Sequence, residues 1–132
     1  MKERIAQLIA EMEADPVIAQ MLRVARRDAS EEMREELLAN AEIAIAGLGG
    51  WLTEQGVTNR LPGHWLGGFA KGRIRGHFSS LNPEEGRALQ KYLPRVARVL
   101  EGALEVMSPR EVVAEILLPL FFGETTNQAQ DK

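Results

Sequence analysis

Phosphate recognition is the chemistry that the residue types of this chain come nearest to supplying. Residues 58–98 hold eight of its sixteen Lys and Arg residues, namely Arg60, Lys71, Arg73, Arg75, Arg87, Lys91, Arg95 and Arg98, against only Glu84 and Glu85. That segment carries a net +6 in a chain whose total is −3, which leaves −9 for the remainder. Its first part, TNRLPGHWLGGFAKGRIRGHFSS at 58–80, has no acidic residue at all, and KGRIRGH at 71–77 is the densest stretch. Guanidinium forks and ammonium groups bind phosphate oxygens, glycines let backbone amides come close, and Trp65, Phe69 or Phe78 offers a face for an unstacked base. The candidate contacts are therefore the eight cations together with Trp65, Phe69 and His77, and the candidate partner is RNA or DNA. The competing explanation is that the same cations pair with the acidic third helix, at Glu31, Glu32, Glu35 and Glu36, within one chain or across an oligomer, or stay solvated. An acidic total favours that explanation, because many nucleic-acid-binding domains are basic as a whole.

Other chemistries find less material. His64 and His77 are the two histidines, and with no cysteine in the chain they lack the further ligands that zinc needs. Neither has a signalled orienting partner that would make it a general base for Ser79 or Ser80. The glycines at 67, 68, 72 and 76 are not followed by the Lys-Ser/Thr pair of a P-loop, and they follow no expected strand. Glu31, Glu32, Glu35 and Glu36 form an acidic row, but the Glu-x-x-His partner of a di-iron bundle is missing. No catalytic residue, metal or cofactor is assigned, and a binding protein rather than an enzyme is expected.

The elements that must position these cations read as helices. Ile5, Leu8, Ile9 and Met12 at helical spacing predict a first helix over 2–14. Asp15-Pro16 predicts the start of a second, over 16–27, with Arg23, Arg26 and Arg27 near its C-terminal end, where the dipole favours cations. Asp28-Ala-Ser-Glu31 has capping-box spacing, and Met33, Leu37, Ala41, Ala44, Leu48 and Trp51 continue one face toward a glycine cap at Gly56, which predicts a single long third helix. Gly47, Gly49 and Gly50 within it require close packing by another backbone, with a bend, or a break near Gly49. Residues 58–80 read as a glycine-rich connection or as a short helix with Gly68, Gly72 and Gly76 along one side. Asn82-Pro83-Glu84-Glu85 opens a long fourth helix. Leu89, Leu93, Val96, Leu100, Ala103 and Met107 form its apolar seam, and Arg87, Lys91, Arg95 and Arg98 lie about half a turn away. Pro94 should kink it. Ser108-Pro109-Arg110-Glu111 opens a last helix through Leu118, inside a strongly apolar stretch that runs on to Phe122.

The fold class expected is all-α, a bundle of about five helices with a basic glycine-rich connection between the third and fourth long ones. One domain over 1–123 and a disordered tail over 124–132 account for the 132 residues. The longest apolar run, 43–52, is about half of a bilayer span, and the opening Met-Lys-Glu-Arg followed by Glu11 and Glu13 does not resemble a secretory signal. No membrane is expected, and the absence of cysteine fits the cytoplasm. Leu48, Trp51 and Leu52 make an apolar patch that serves either the core or a homo-oligomer interface, so a helical adaptor or self-assembling subunit stands as the alternative to nucleic-acid binding.

Overall fold

The computed structural model describes residues 1–61 and 68–124, apart from the side chains of Phe69 and His77. Every regular element among them is helical. α1 (Lys2–Ala14) and α2 (Pro16–Asp28) are separated by a single residue, Asp15, in an extended conformation (φ −78°, ψ 120°). Its carboxylate accepts from the amides of Val17 at 3.0 Å and Ile18 at 3.3 Å, so one short acidic side chain followed by proline ends one helix and begins the next. Ile5, Leu8 and Met12 from α1 and Ile18 and Leu22 from α2 enter the core.

The expected long third helix is two helices. α3 (Glu31–Ala39) gives way to α4 (Ala41–Glu54) at Asn40, whose φ of −117° and ψ of 37° leave helical space. The Asn40 backbone amide still makes the ladder bond to the Glu36 carbonyl at 2.9 Å, but its side-chain amide donates to the same oxygen at 3.2 Å, a local bond that competes with the continuing ladder. The cap of α3 is Ser30, which accepts from the Met33 amide at 3.2 Å, while Asp28 closes α2 instead. The glycines do not break α4. At Gly47 another helix, α5 (Gly68–Phe78), lies against the backbone, and a Cβ there would stand 2.6 Å from the Ala70 Cβ and 2.9 Å from the Lys71 nitrogen. Part of the glycine-rich stretch is therefore this helix rather than a simple connection, with Gly68, Gly72 and Gly76 open to solvent on its far side.

α6 (Pro83–Val106), at 24 residues, is the longest element, and it runs through Pro94. A capping box begins it: Asn82 accepts from the Glu85 amide at 2.8 Å and the Glu85 carboxylate accepts from the Asn82 amide at 3.0 Å. Its buried residues, Tyr92, Leu93, Ala97, Val99, Leu100 and Ala103, cover a wider arc than the single expected seam, because α1, α2, α4 and the last helix all pack on it. Ser108 and Glu111 form a second capping box. From there α7 (Pro109–Val112), a π turn (Val113–Leu117) and α8 (Leu118–Phe122) run on end to end, so the described chain makes seven helical rods. Pro119 has no amide to give the ladder and its ring crowds the carbonyl four residues back, a mismatch that the wide turn before it absorbs.

One cluster of buried side chains joins α1, α2, α4, α6 and the last rod, with Ile45, Leu52, Leu100, Val112, Val113 and Leu118 fully enclosed. Gly123, at φ 68°, caps α8 in the left-handed region. Arg26 donates to the Leu120 carbonyl at 2.9 Å and the Pro119 carbonyl at 3.1 Å while meeting Glu13 at 2.6 Å. Its charge thus serves the C-terminal end of a different helix from the one that carries it. Arg34 forks onto Glu124, and the rest of the expected tail, 125–132, lies outside the described residues. Among the described residues, no helix is long and apolar enough to cross a membrane.

Candidate functional site

The cations of residues 58–98 fall into two rows, one on each of two helices. On α5, Lys71 and Arg75 are one turn apart and turn toward the end of α4. There Glu54 accepts from Arg75 Nε at 3.2 Å and Nη2 at 2.6 Å and meets Lys71 Nζ at 3.1 Å. The Lys71 stem crosses Gly50, where a Cβ would lie 3.0 Å from its Cδ. Phe78 stacks on Trp51 with ring centroids 4.6 Å apart and planes 21° apart. The Arg75 guanidinium, and secondarily Lys71, hold the Glu54 carboxyl below its ordinary value of 4.5, and Glu54 in turn raises Arg75. Arg73 lies between the two engaged cations in sequence but on the opposite side of the helix. It is exposed, with no carboxylate in ion-pair range among the described residues.

On α6 the row Arg87, Lys91, Arg95, Arg98 lies opposite the buried arc, at a helical spacing that keeps all four on one side. Arg95 forks onto Glu11 of α1 at 2.6 and 3.1 Å and holds that carboxyl below its usual 4.5. Lys91 Nζ stands 3.5 Å from Asp15 Oδ2 and 5.3 Å from the centre of the Tyr92 ring, with 66% of its side chain still exposed. The Tyr92 hydroxyl donates to the same Asp15 oxygen at 3.1 Å; burial first, and then this hydrogen bond to the Asp15 carboxylate, push its pKa up. Arg87 and Arg98 are exposed and have no carboxylate partner among the described residues.

Arg60 follows Thr58, whose hydroxyl is bound to Glu101. With Leu61, Glu101, Leu104 and Glu105, Arg60 lines an open depression of about 250 Å³. An open hollow lined by two leucines, one cation and two carboxylates is not the enclosed pocket that small ligands favour. Among the described residues, no group of three His, Cys, Asp or Glu side chains is placed to hold a metal ion.

Four of the eight expected cations are thus engaged by carboxylates, and the partners are Glu54, Glu11 and Asp15. The acidic row of α3, expected as the alternative partner, supplies none of them; Glu31 meets Arg34 of its own helix at 3.7 Å. The α5 row is anchored on α4 and the α6 row on α1 and the α1–α2 turn, so the two rows rest on different parts of the fold. Glu11 and Glu54 carried no signal in the sequence, because their partners lie 84 and 21 residues away; Asp15 was legible, but only as a helix cap. Of the other expected contacts, Trp65, like His64, lies outside the described residues, and so do the side chains of Phe69 and His77. Trp51 and Leu52 of the expected interface are enclosed in this chain's own core, at 4% and 0% exposure, with Leu48 half-buried beside them. An interface through those two residues would need the core to open. Compared with known protein families, with curated proteins and with solved structures, the chain matches none.

Proposed function

We propose that this chain is a non-enzymatic helical binding protein, an accessory subunit that contacts the phosphates of RNA or DNA without reading sequence. The observation that carries the reading is the α6 row together with Arg73. Arg87, Arg98 and Arg73 are exposed cations that the described fold leaves without a carboxylate, Lys91 is only loosely held, and the α6 row lies opposite that helix's buried side. A row of cations along a helix tracks a phosphate backbone, while affinity without base contacts comes from counterion release. Arg60 adds a fifth cation at the edge of the same basic segment. The cysteine-free composition fits a reducing compartment, for which we take the cytoplasm.

The test is fluorescence anisotropy with a labelled single-stranded oligonucleotide of about 20 nucleotides, longer than one ordinary site. The variant R73Q/R87Q/R98Q should bind roughly 50-fold more weakly than wild type at about 0.15 M salt, from three lost single-strand contacts. No wild-type binding at about 100 μM protein, the weak end of non-specific affinity, or equal binding by both proteins, overturns the reading.

A second reading, a helical adaptor or self-assembling subunit, has one observation of its own. α3 buries none of its residues, exposes Met33 at 46%, and presents Glu32, Glu35 and Glu36 to solvent. Sedimentation across a wide range of concentration tests the self-assembling form, and a concentration-independent monomer counts against it.

A further inference from the structure

The arrangement around Glu54 does more than balance charge. Its two carboxylate oxygens occupy the fork of Arg75 and reach Lys71 as well, which is the way a phosphate group engages an arginine fork beside a lysine. Yet the carboxylate is not needed to hold α5 in place. Ala70 and the Lys71 backbone fit against Gly47, the Lys71 stem lies over Gly50, Ile74 is half-buried, and Phe78 stacks on Trp51. These contacts are apolar or backbone, and they remain if the charge at position 54 is removed. Glu54 is also about one-third exposed, and ion pairs at that exposure add little net stability. A group that contributes little to the fold while it engages two of the basic segment's cations is placed to compete with whatever anion those cations would otherwise bind.

We propose that Glu54 is an intramolecular stand-in for a nucleic-acid phosphate: it occupies Lys71 and Arg75 in the free protein and has to be displaced before α5 contributes to binding. The inference rests on the phosphate-binding reading above and assigns its regulation. In the free state the α6 row and Arg73 make the first contacts. While Glu54 holds it the pair on α5 is withheld from the polymer, so wild type binds through its exposed cations and removing the Glu54 charge recruits the pair.

Replacing Glu54 by Gln removes the competing charge and keeps the side chain's size. With two cations released, E54Q should bind the same single-stranded oligonucleotide roughly tenfold more tightly than wild type at about 0.15 M salt, with a slope of log K against log salt steeper by about 1.4. Two controls separate this from a general change of charge. E42Q makes the same change of net charge at the other end of α4, about 18 Å along the helix and beyond the screening length, and should leave affinity near wild type. E54Q/K71Q/R75Q should return affinity to about the wild-type value, because the gain runs through those two side chains. Circular dichroism of each variant confirms that the helices are kept. Wild type binding with E54Q no tighter, or E42Q matching E54Q, overturns the stand-in role and leaves the phosphate-binding reading standing. No binding by wild type or by E54Q overturns both.

Discussion

The same substitution, glycine to alanine, should change sign between two helices that touch. At Gly47 an added Cβ would meet the Ala70 Cβ at 2.6 Å, the Lys71 nitrogen at 2.9 Å and the Ala70 carbonyl carbon at 3.1 Å. None of these atoms sits at the end of a flexible side chain, so relief requires α5 to move away from α4 by about 1 Å to reach ordinary carbon–carbon separation. Alanine gains about 1 kcal/mol of helix propensity over glycine, against overpacking of a well-fitted contact at about 1–3 kcal/mol. The shift also pulls Phe78 from Trp51 and Arg75 from Glu54, so G47A should lose about 1–2 kcal/mol net. At Gly72 a Cβ meets nothing within 4 Å, and only the propensity gain remains, so G72A should gain about 0.5–1 kcal/mol. Urea unfolding followed by circular dichroism at an unchanged slope reads both, and thermal midpoints should move in opposite directions by about 3–5 °C per kcal/mol. G47A as stable as wild type, or both variants moving the same way, refutes the α4–α5 contact on which the placement of Lys71 and Arg75 depends.

Further outcomes follow from the core, a cap and the ion pairs. Leu52→Ala, at a fully enclosed position, should cost about 2–5 kcal/mol in the same unfolding assay. Asn82→Ala removes half of the capping box of α6 and should cost about 1 kcal/mol, seen as a lower midpoint without loss of the folded baseline. Glu11, Glu54 and Glu111 have folded values lowered from 4.5, by Arg95, by Arg75 and by the Ser108 backbone amide respectively. Each therefore stabilises the fold fully above its unfolded value of 4.5 and loses that contribution as pH falls through the lowered folded one. The melting temperature should decline on acidification below about pH 4.5, and E11Q should flatten part of that decline.

Local chemistry was the legible part of this chain. Asp15-Pro16, Asn82-Pro83 with Glu85, and Ser108-Pro109 with Glu111 set helix starts within a few residues of themselves, and the structure has caps at all three. Asn40 was missed because its neighbours keep a helical apolar rhythm across it, and only its dihedral angles and its side-chain bond to the Glu36 carbonyl reveal the break. Gly47 announced a close approach of backbone without naming which helix would supply it. The α6 seam was read too narrow, since periodicity shows one face and this helix is covered on several. For the basic segment the sequence displayed the cations but not their state. Whether an arginine is free or held is decided by residues such as Glu11 and Glu54, and chain contacts over tens of residues leave no local pattern.

If the exposed cations of residues 58–98 bind phosphates, affinity has to fall with added salt, because each phosphate contact releases counterions. Binding of wild type to a labelled single-stranded oligonucleotide should weaken steeply between about 50 and 200 mM salt, with a log–log slope near −3.5 for contacts from Arg60, Arg73, Arg87, Lys91 and Arg98. A slope near zero, or no binding at any salt in that range, contradicts phosphate binding by these cations.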